Sequence, residues 1–277
     1  MTEFLTVDGG TLAYEVAGDG PLIVLAHGMG DSRDGYRGMI PALAEAGYRV
    51  AAVDLRGCGE SSVDWPEWSR TAVAGDLLAL IRHLGGPAVL VGHSFSGGAA
   101  TIAAAKEPSL VSAVVELAPF TRKQSVSLGG LLKVQRYRRG MLRLLGTAMS
   151  GSVRLWRSYL DVAYPGAKPA HWDERIGRID SLMREPGRMK AMQGMGKSAP
   201  ADAGEQLGNV RCPVLVVEGS LDPDWADPRA EGAAIVDALP SGRLEMIEGA
   251  GHYPHDQFPD QVVALILDFL RSDAARA

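Results

Sequence analysis

Short apolar runs alternate with longer mixed stretches along this chain of 277 residues. The runs at 3–7, 11–16, 22–26, 49–53, 88–91, 111–117, 213–217 and 243–247 are too short for a helix face and rich in Val, Ile and Leu, which marks them as strands. Leu22-Ile23-Val24-Leu25-Ala26 and Val214-Leu215-Val216-Val217 have no polar alternation, as expected of strands buried on both faces of a mostly parallel sheet. Between the runs, 35–46, 70–84, 96–106, 228–238 and 259–271 read as amphipathic helices covering that sheet. The last begins Phe258-Pro259-Asp260, with proline in the first turn, where its missing N–H costs nothing.

One strand-to-helix junction carries chemistry. Ala88-Val89-Leu90-Val91 runs directly into Gly92-His93-Ser94-Phe95-Ser96-Gly97-Gly98 and then into the helix-forming stretch from Ala99 to Lys106. Small residues around a serine on such a turn lift its hydroxyl clear of the sheet and expose it as a nucleophile. The pattern departs from G-x-S-x-G at Ser96, and the bland reading is a Gly/Ser-rich structural turn. A serine nucleophile needs a general base and a carboxylate behind it. The loop Glu218-Gly219-Ser220-Leu221-Asp222-Pro223-Asp224 offers Asp222, with Asp224 and Glu116 as rivals. The loop Glu248-Gly249-Ala250-Gly251-His252-Tyr253-Pro254 offers His252, and His255 is expected to be an exposed bystander.

The order Ser94, Asp222, His252 resembles that of the α/β-hydrolase superfamily, in its serine hydrolase branch with a helical cap. His27-Gly28-Met29-Gly30 looks like the family's oxyanion loop, and Asp54-Leu55-Arg56-Gly57-Cys58-Gly59-Glu60-Ser61-Ser62 is similar to its D-x-R-G-x-G-x-S segment. The resemblance implies an eight-stranded, mostly parallel sheet flanked by helices, with core residues 1–118 and 208–277 and a helical cap at 119–207. It also implies that the backbone N–H groups of Met29 and Phe95 hold the oxyanion; no dinucleotide or phosphate-cradling motif is present, so no cofactor is expected. The activity implied is hydrolysis of a carboxylic ester, thioester or lactone of a small to medium hydrophobic molecule. C–C bond hydrolysis, cofactor-free peroxidase chemistry or ligand binding without turnover are the other uses of such a fold. Epoxide and haloalkane opening resemble a subgroup with Asp at the elbow, which Ser94 argues against.

Composition adds limits. With 46% hydrophobic and 22% charged residues the chain reads as globular, and its longest apolar stretches fall short of a membrane span. Cys58 and Cys212 show no redox or metal spacing, so free thiols in a cytoplasmic protein are expected. The absence of a metal-ligating motif, a dinucleotide fingerprint or a nucleic-acid recognition motif leaves a small-molecule substrate as the expected partner. The abundance of Ala, Gly and Arg suggests a bacterial source. His27, His83 and His93 read as packed or hydrogen-bonded histidines.

Charge is uneven. Residues 121–160 contain nine Lys or Arg and no Asp or Glu; the whole chain carries −5, so the remainder carries −14. A solvated basic face is the bland reading, and attraction of an anionic substrate or surface is the functional one. Met141, Met149, Trp156, Tyr159, Met183, Met189, Met192 and Met195 in the same region suit either a hydrophobic pocket or ordinary helix packing.

Overall fold

A computed structural model describes residues 1–123, 126–166, 168–198 and 200–274. Eight strands form one sheet: β1 (Glu3–Val7), β2 (Gly10–Ala17), β3 (Leu22–Ala26), β4 (Arg49–Val53), β5 (Ala88–His93), β6 (Val111–Leu117), β7 (Val214–Gly219) and β8 (Gly242–Ile247). Their order is β1-β2-β4-β3-β5-β6-β7-β8. β2 runs antiparallel to β1 and β4, and every other pairing is parallel. The mostly parallel eight-stranded sheet expected from the apolar runs is therefore present.

Alternate side chains of each central strand feed two different cores. Leu22, Val24 and Ala26 of β3 pack with Leu90 of β5 on one face, while Ile23 and Leu25 pack with Val89 and Val91 on the other. Both faces are covered, as the unbroken apolar runs require. The covering helices are α1 (Ile40–Glu45), α2 (Arg70–His83), α3 (Phe95–Lys106), α10 (Pro228–Val236) and α12 (Pro259–Ala274). The helix expected over 35–46 is interrupted. A 3-10 turn at Arg33–Tyr36 precedes α1, and Pro41 sits in the first turn of α1 because it cannot continue a preceding helix.

Between β6 and β7 lie α4 (Leu128–Lys133), α5 (Gln135–Ser150), α6 (Val153–Ala163), α7 (Trp172–Arg184), α8 (Arg188–Lys197) and the short α9 (Ala201–Gly204). They bring a third apolar cluster, in which Trp156, Tyr159, Leu160, Ile176, Ile179, Met183 and Met192 pack around Tyr253. The short α11 (Pro254–Gln257) completes the elements. No helix among the described residues is long and apolar enough to cross a membrane.

Strand order fixes where a ligand belongs. From β3 the chain moves outward to β4, then returns to the other side of β3 as β5. The crevice at the carboxyl ends of β3 and β5 is thus the point where the order reverses, and parallel sheets bind ligands there.

Candidate active site

β5 continues two residues beyond the expected 88–91, because β6 pairs with it up to His93 and Leu117. Ser94 follows immediately, with φ 53° and ψ −115°, a conformation that side-chain-bearing residues avoid at a cost of about 1–3 kcal/mol. Its N–H donates to the Leu117 carbonyl at 2.9 Å and its carbonyl accepts from Phe120 N–H at 3.0 Å, so neighbouring backbone holds the turn. Gly92 permits it. A side chain there would collide with the Ser96 carbonyl.

Ser96, the departure from the glycine pattern, is buried and donates its hydroxyl to the His27 carbonyl at 2.6 Å. It ties the elbow to the loop after β3. That loop is also set by His27, whose Nε2 accepts from Leu55 N–H at 3.0 Å and whose Nδ1 donates to the Gly28 carbonyl at 2.6 Å. A Cβ on Gly28 would stand 3.0 Å from the Ser94 Cβ and 2.9 Å from His93 Nδ1, so glycine permits the close approach of loop and elbow. Met29 follows at once and faces the same cavity as Ser94 and Phe95. Phe95 is the first residue of α3, where an N–H has no intrahelical acceptor.

His252 reaches the elbow through backbone anchors. Its N–H donates to the Ala163 carbonyl at 2.9 Å, and its carbonyl accepts from His93 Nε2 at 2.8 Å. The residue beside the elbow serine thus positions the histidine loop. His252 Nδ1 donates to Asp222 Oδ2 at 2.8 Å, which leaves Nε2 free to act as base. Asp224 Oδ2 lies 3.3 Å from the same nitrogen and accepts the Tyr159 hydroxyl at 2.6 Å. Asp222 Oδ1 accepts the Asp224 N–H at 2.8 Å. Glu116, the other rival, instead accepts from the hydroxyls of Thr101 and Thr121.

Two carboxylates around one imidazole set the electrostatics. Burial alone would lower the His252 pKa, but the Asp222 and Asp224 carboxylates overcome it and raise it to about 9. Burial pushes Asp224 up to about 7, with His252 opposing the rise and Asp222 adding to it. The same three ligand atoms lie within 4.8 Å of one another, a spacing that would also seat a cation.

His255 is not exposed as expected. It is fully buried in the short helix α11 that Pro254 opens, its ring 4.8 Å from that of Tyr36 and 4.6 Å from that of His93, partners that the sequence cannot place beside it. Burial and the nearby Arg175 charge push its pKa down to about 3, so it stays neutral.

The cavity over Ser94 has a volume of about 300 Å³. Met29, Phe95, Phe120, Met192 and Met195 form much of its wall, and α5 adds Met141, Leu144 and Leu145. Residues 23–265 match the profile of the Alpha/beta hydrolase family. The chain belongs to that family. This α/β-hydrolase is 29% identical to an uncharacterised protein of Mycobacterium tuberculosis over 97% of this chain and 80% of that one. It is 28% identical to the pimeloyl-[acyl-carrier protein] methyl ester esterase of Aeromonas hydrophila, over 94% and 99%. Among solved structures it resembles a thermophilic esterase from Thermogutta terrifontis, with TM-score 0.77, 25% identity and 98% of each chain covered.

Arg70 is not marked by the sequence at all, and the particular partners of Tyr159 and His93 are not either. Tyr159 supports Asp224 from α6, His93 holds the His252 carbonyl, and Arg70 enters the cavity wall from the start of α2. Tyr159 and Arg70 lie 65 and 24 positions from the sequence motifs they serve, Asp224 and Ser94, with nothing local to mark them.

Proposed function

We propose that the chain is a serine hydrolase cleaving a carboxylic ester, thioester or lactone of a small to medium hydrophobic molecule, through an acyl-enzyme on Ser94. The observation that carries this reading is the hydrogen bond of His252 Nδ1 to Asp222 at 2.8 Å, on a loop pinned to the strained elbow that bears Ser94. His252 Nε2 takes the Ser94 proton as Oγ attacks the substrate carbonyl, and Asp222 stabilises the imidazolium. The N–H groups of Phe95 and Met29 hold the oxyanion, a contribution of about 10²- to 10³-fold per donor in such sites. His252 then protonates the leaving group, and water, deprotonated by the same imidazole, releases the acid.

The esterase activities named for the Aeromonas and Thermogutta proteins support an ester as substrate, and the apolar cavity supports a hydrophobic acyl or ring group. We assign residues 1–118 and 208–277 to the hydrolase core and 119–207 to a cap, since α5 and α8 supply much of the wall over Ser94. The two free cysteines suit a reducing, cytoplasmic setting.

A fluorophosphonate probe tests the reading. Labelling of Ser94, absent in Ser94→Ala, together with turnover in a panel of p-nitrophenyl esters, thioesters, lactones and vinylogous ketones, is expected. An unlabelled, well-folded protein that turns over none of the panel would sink it. Chelator treatment should leave the rate unchanged, and a chelator-sensitive rate would instead assign the Asp222, Asp224 and His252 cluster to a cation.

A further inference from the structure

Arg70 is the first residue of α2 and only 4% exposed. Its Nε donates to the Phe120 carbonyl at 3.1 Å, and its Nη1 to the Ser198 carbonyl at 2.8 Å. The guanidinium lies 4.3 Å from the centroid of the Phe95 ring. Its Nη2 has no protein acceptor among the described residues.

Four arginines are buried among the described residues. Arg33 pairs with Asp54 and Glu60, Arg56 with Asp76, and Arg175 with Asp31 and Asp256. Arg70 alone has no carboxylate within 4.0 Å. Burial pushes its pKa down to about 10, which still leaves it a cation at neutral pH. A cation withdrawn from water is costly unless an anion or a full set of acceptors replaces the water. Here the carbonyls of Phe120 and Ser198 take only two of five N–H donors.

Asp202 acts on this charge only from beyond 4.0 Å, so the place of so thinly compensated a cation is informative. Among the described residues, Arg70 is the one charged residue in the wall of the cavity that holds Ser94, where the other walls are mainly methionine, leucine and phenylalanine. The two N–H groups of Nη2 and the second of Nη1 match the edge of a carboxylate. A phosphate monoester, with two charges, would leave one without a partner.

We propose that Arg70 is the specificity-determining residue of this cavity, binding a carboxylate on the substrate so that hemi-esters of aliphatic dicarboxylic acids are preferred over neutral esters. The apolar walls take the methylene chain, and Arg70 takes the free acid. Water adds across the ester C–O bond, yielding the alcohol and a dicarboxylate. The inference rests on the serine hydrolase reading for its reaction but not for its binding step.

The test compares p-nitrophenyl hemi-esters of succinate, adipate and suberate with the same compounds whose free acid is masked as a methyl ester. At 0.5 M NaCl, where long-range steering is screened, the best hemi-ester should exceed its masked partner in kcat/KM by about 10-fold or more. In Arg70→Met that ratio should fall by about 30-fold, the size of a lost charge-assisted hydrogen bond. Arg70→Lys should keep part of the preference. A wild-type ratio of one or less, or an unchanged ratio in Arg70→Met, would overturn the proposal and reduce Arg70 to a clamp on the two carbonyls. Because that clamp could be needed for folding, binding is also measured by calorimetry on Ser94→Ala. Adipate should bind at least about 10-fold more tightly than 1,6-hexanediol, and equal or absent binding of both overturns the proposal without reference to the variant. If neither ester series turns over and the fluorophosphonate does not react, the hydrolase reading fails, while the adipate result still decides the role of Arg70.

Discussion

Proton affinity at His252 governs the proposed chemistry at the scale of single residues. A general base must be neutral, and the two carboxylates raise its pKa to about 9. We therefore expect kcat/KM to climb with pH on a limb displaced above the ordinary histidine value of 6.5, towards about 9. His252 and Asp224 titrate as a coupled pair, so the limb belongs to both. Asp224→Asn removes one of the two charges that hold the proton and should move the limb to lower pH, with a modest loss of kcat. Asp222→Asn removes the group that orients the ring, and should cost about 10⁴-fold in kcat, as Ser94→Ala and His252→Ala should. If Asp224→Asn is the more damaging of the two, their roles are reversed. Stability follows with a defined sign. The imidazolium contribution is fully present below pH 6.5 and is lost as pH rises towards about 9. Glu116, pushed up to about 7 by burial, is best tolerated in its protonated form. Glu116→Gln should therefore gain in Tm over wild type as pH is raised from 5 to 8, and a gap that does not change with pH would contradict this.

The elbow is a joint between elements, and Ser96 is its fastener. Its hydroxyl bond to the His27 carbonyl couples α3 to the loop that carries Met29. Ser96→Ala leaves that buried carbonyl without this donor, at about 1–3 kcal/mol. It should lower Tm and reduce kcat several-fold, the latter by loosening the proposed oxyanion donors. Gly92→Ala, which drives a Cβ into the Ser96 carbonyl, should be the more damaging in urea titration. At this scale the sequence is easy to read where the signal is local. The apolar runs of β3, β5 and β7 and the small residues around Ser94 are contiguous, so strands and elbow can be located without a structure. The consequence of Ser96 cannot be read that way, because His27 is 69 positions away. The burial of His255 is hidden from the sequence for the same reason. Its neighbours Tyr36 and His93 come from other elements, and a histidine three positions past His252 gives no sign of them. Asp222 and Asp224, rivals in the sequence, differ by only 0.5 Å at one ring nitrogen of His252, at 2.8 and 3.3 Å.

Across the whole molecule, one buried arginine joins the inserted helices to the loop after Met29 and to α11, just past His252. Arg175 of α7 meets Asp31, two residues past Met29, and Asp256, four past His252, at 2.7 and 2.9 Å. Arg175→Met would strand two buried carboxylates and should cost about 3–5 kcal/mol. On α5 the basic stretch shares a helix with part of the cavity wall. Leu145 both lines the cavity and is 57% exposed, and it shares α5 with the exposed Arg138 and Arg139. Neither arginine has a carboxylate within 4.0 Å among the described residues; Arg138 donates to the carbonyls of Leu131 and Leu132. A field from such charges acts on the approach of an anion, whereas Arg70 acts only after entry. Salt separates the two. Exposed charges are screened beyond about 8 Å at physiological ionic strength, while a buried contact is screened much less. Raising NaCl from 20 to 500 mM should thus lower kcat/KM for a hemi-ester several-fold towards a plateau that still exceeds the value for its masked partner. Reversing both charges in Arg138→Glu/Arg139→Glu should reproduce the fall at low salt and leave the plateau in place. A hemi-ester rate insensitive to salt and to the double reversal would leave the basic face of α5 as solvated surface, with selection confined to the cavity.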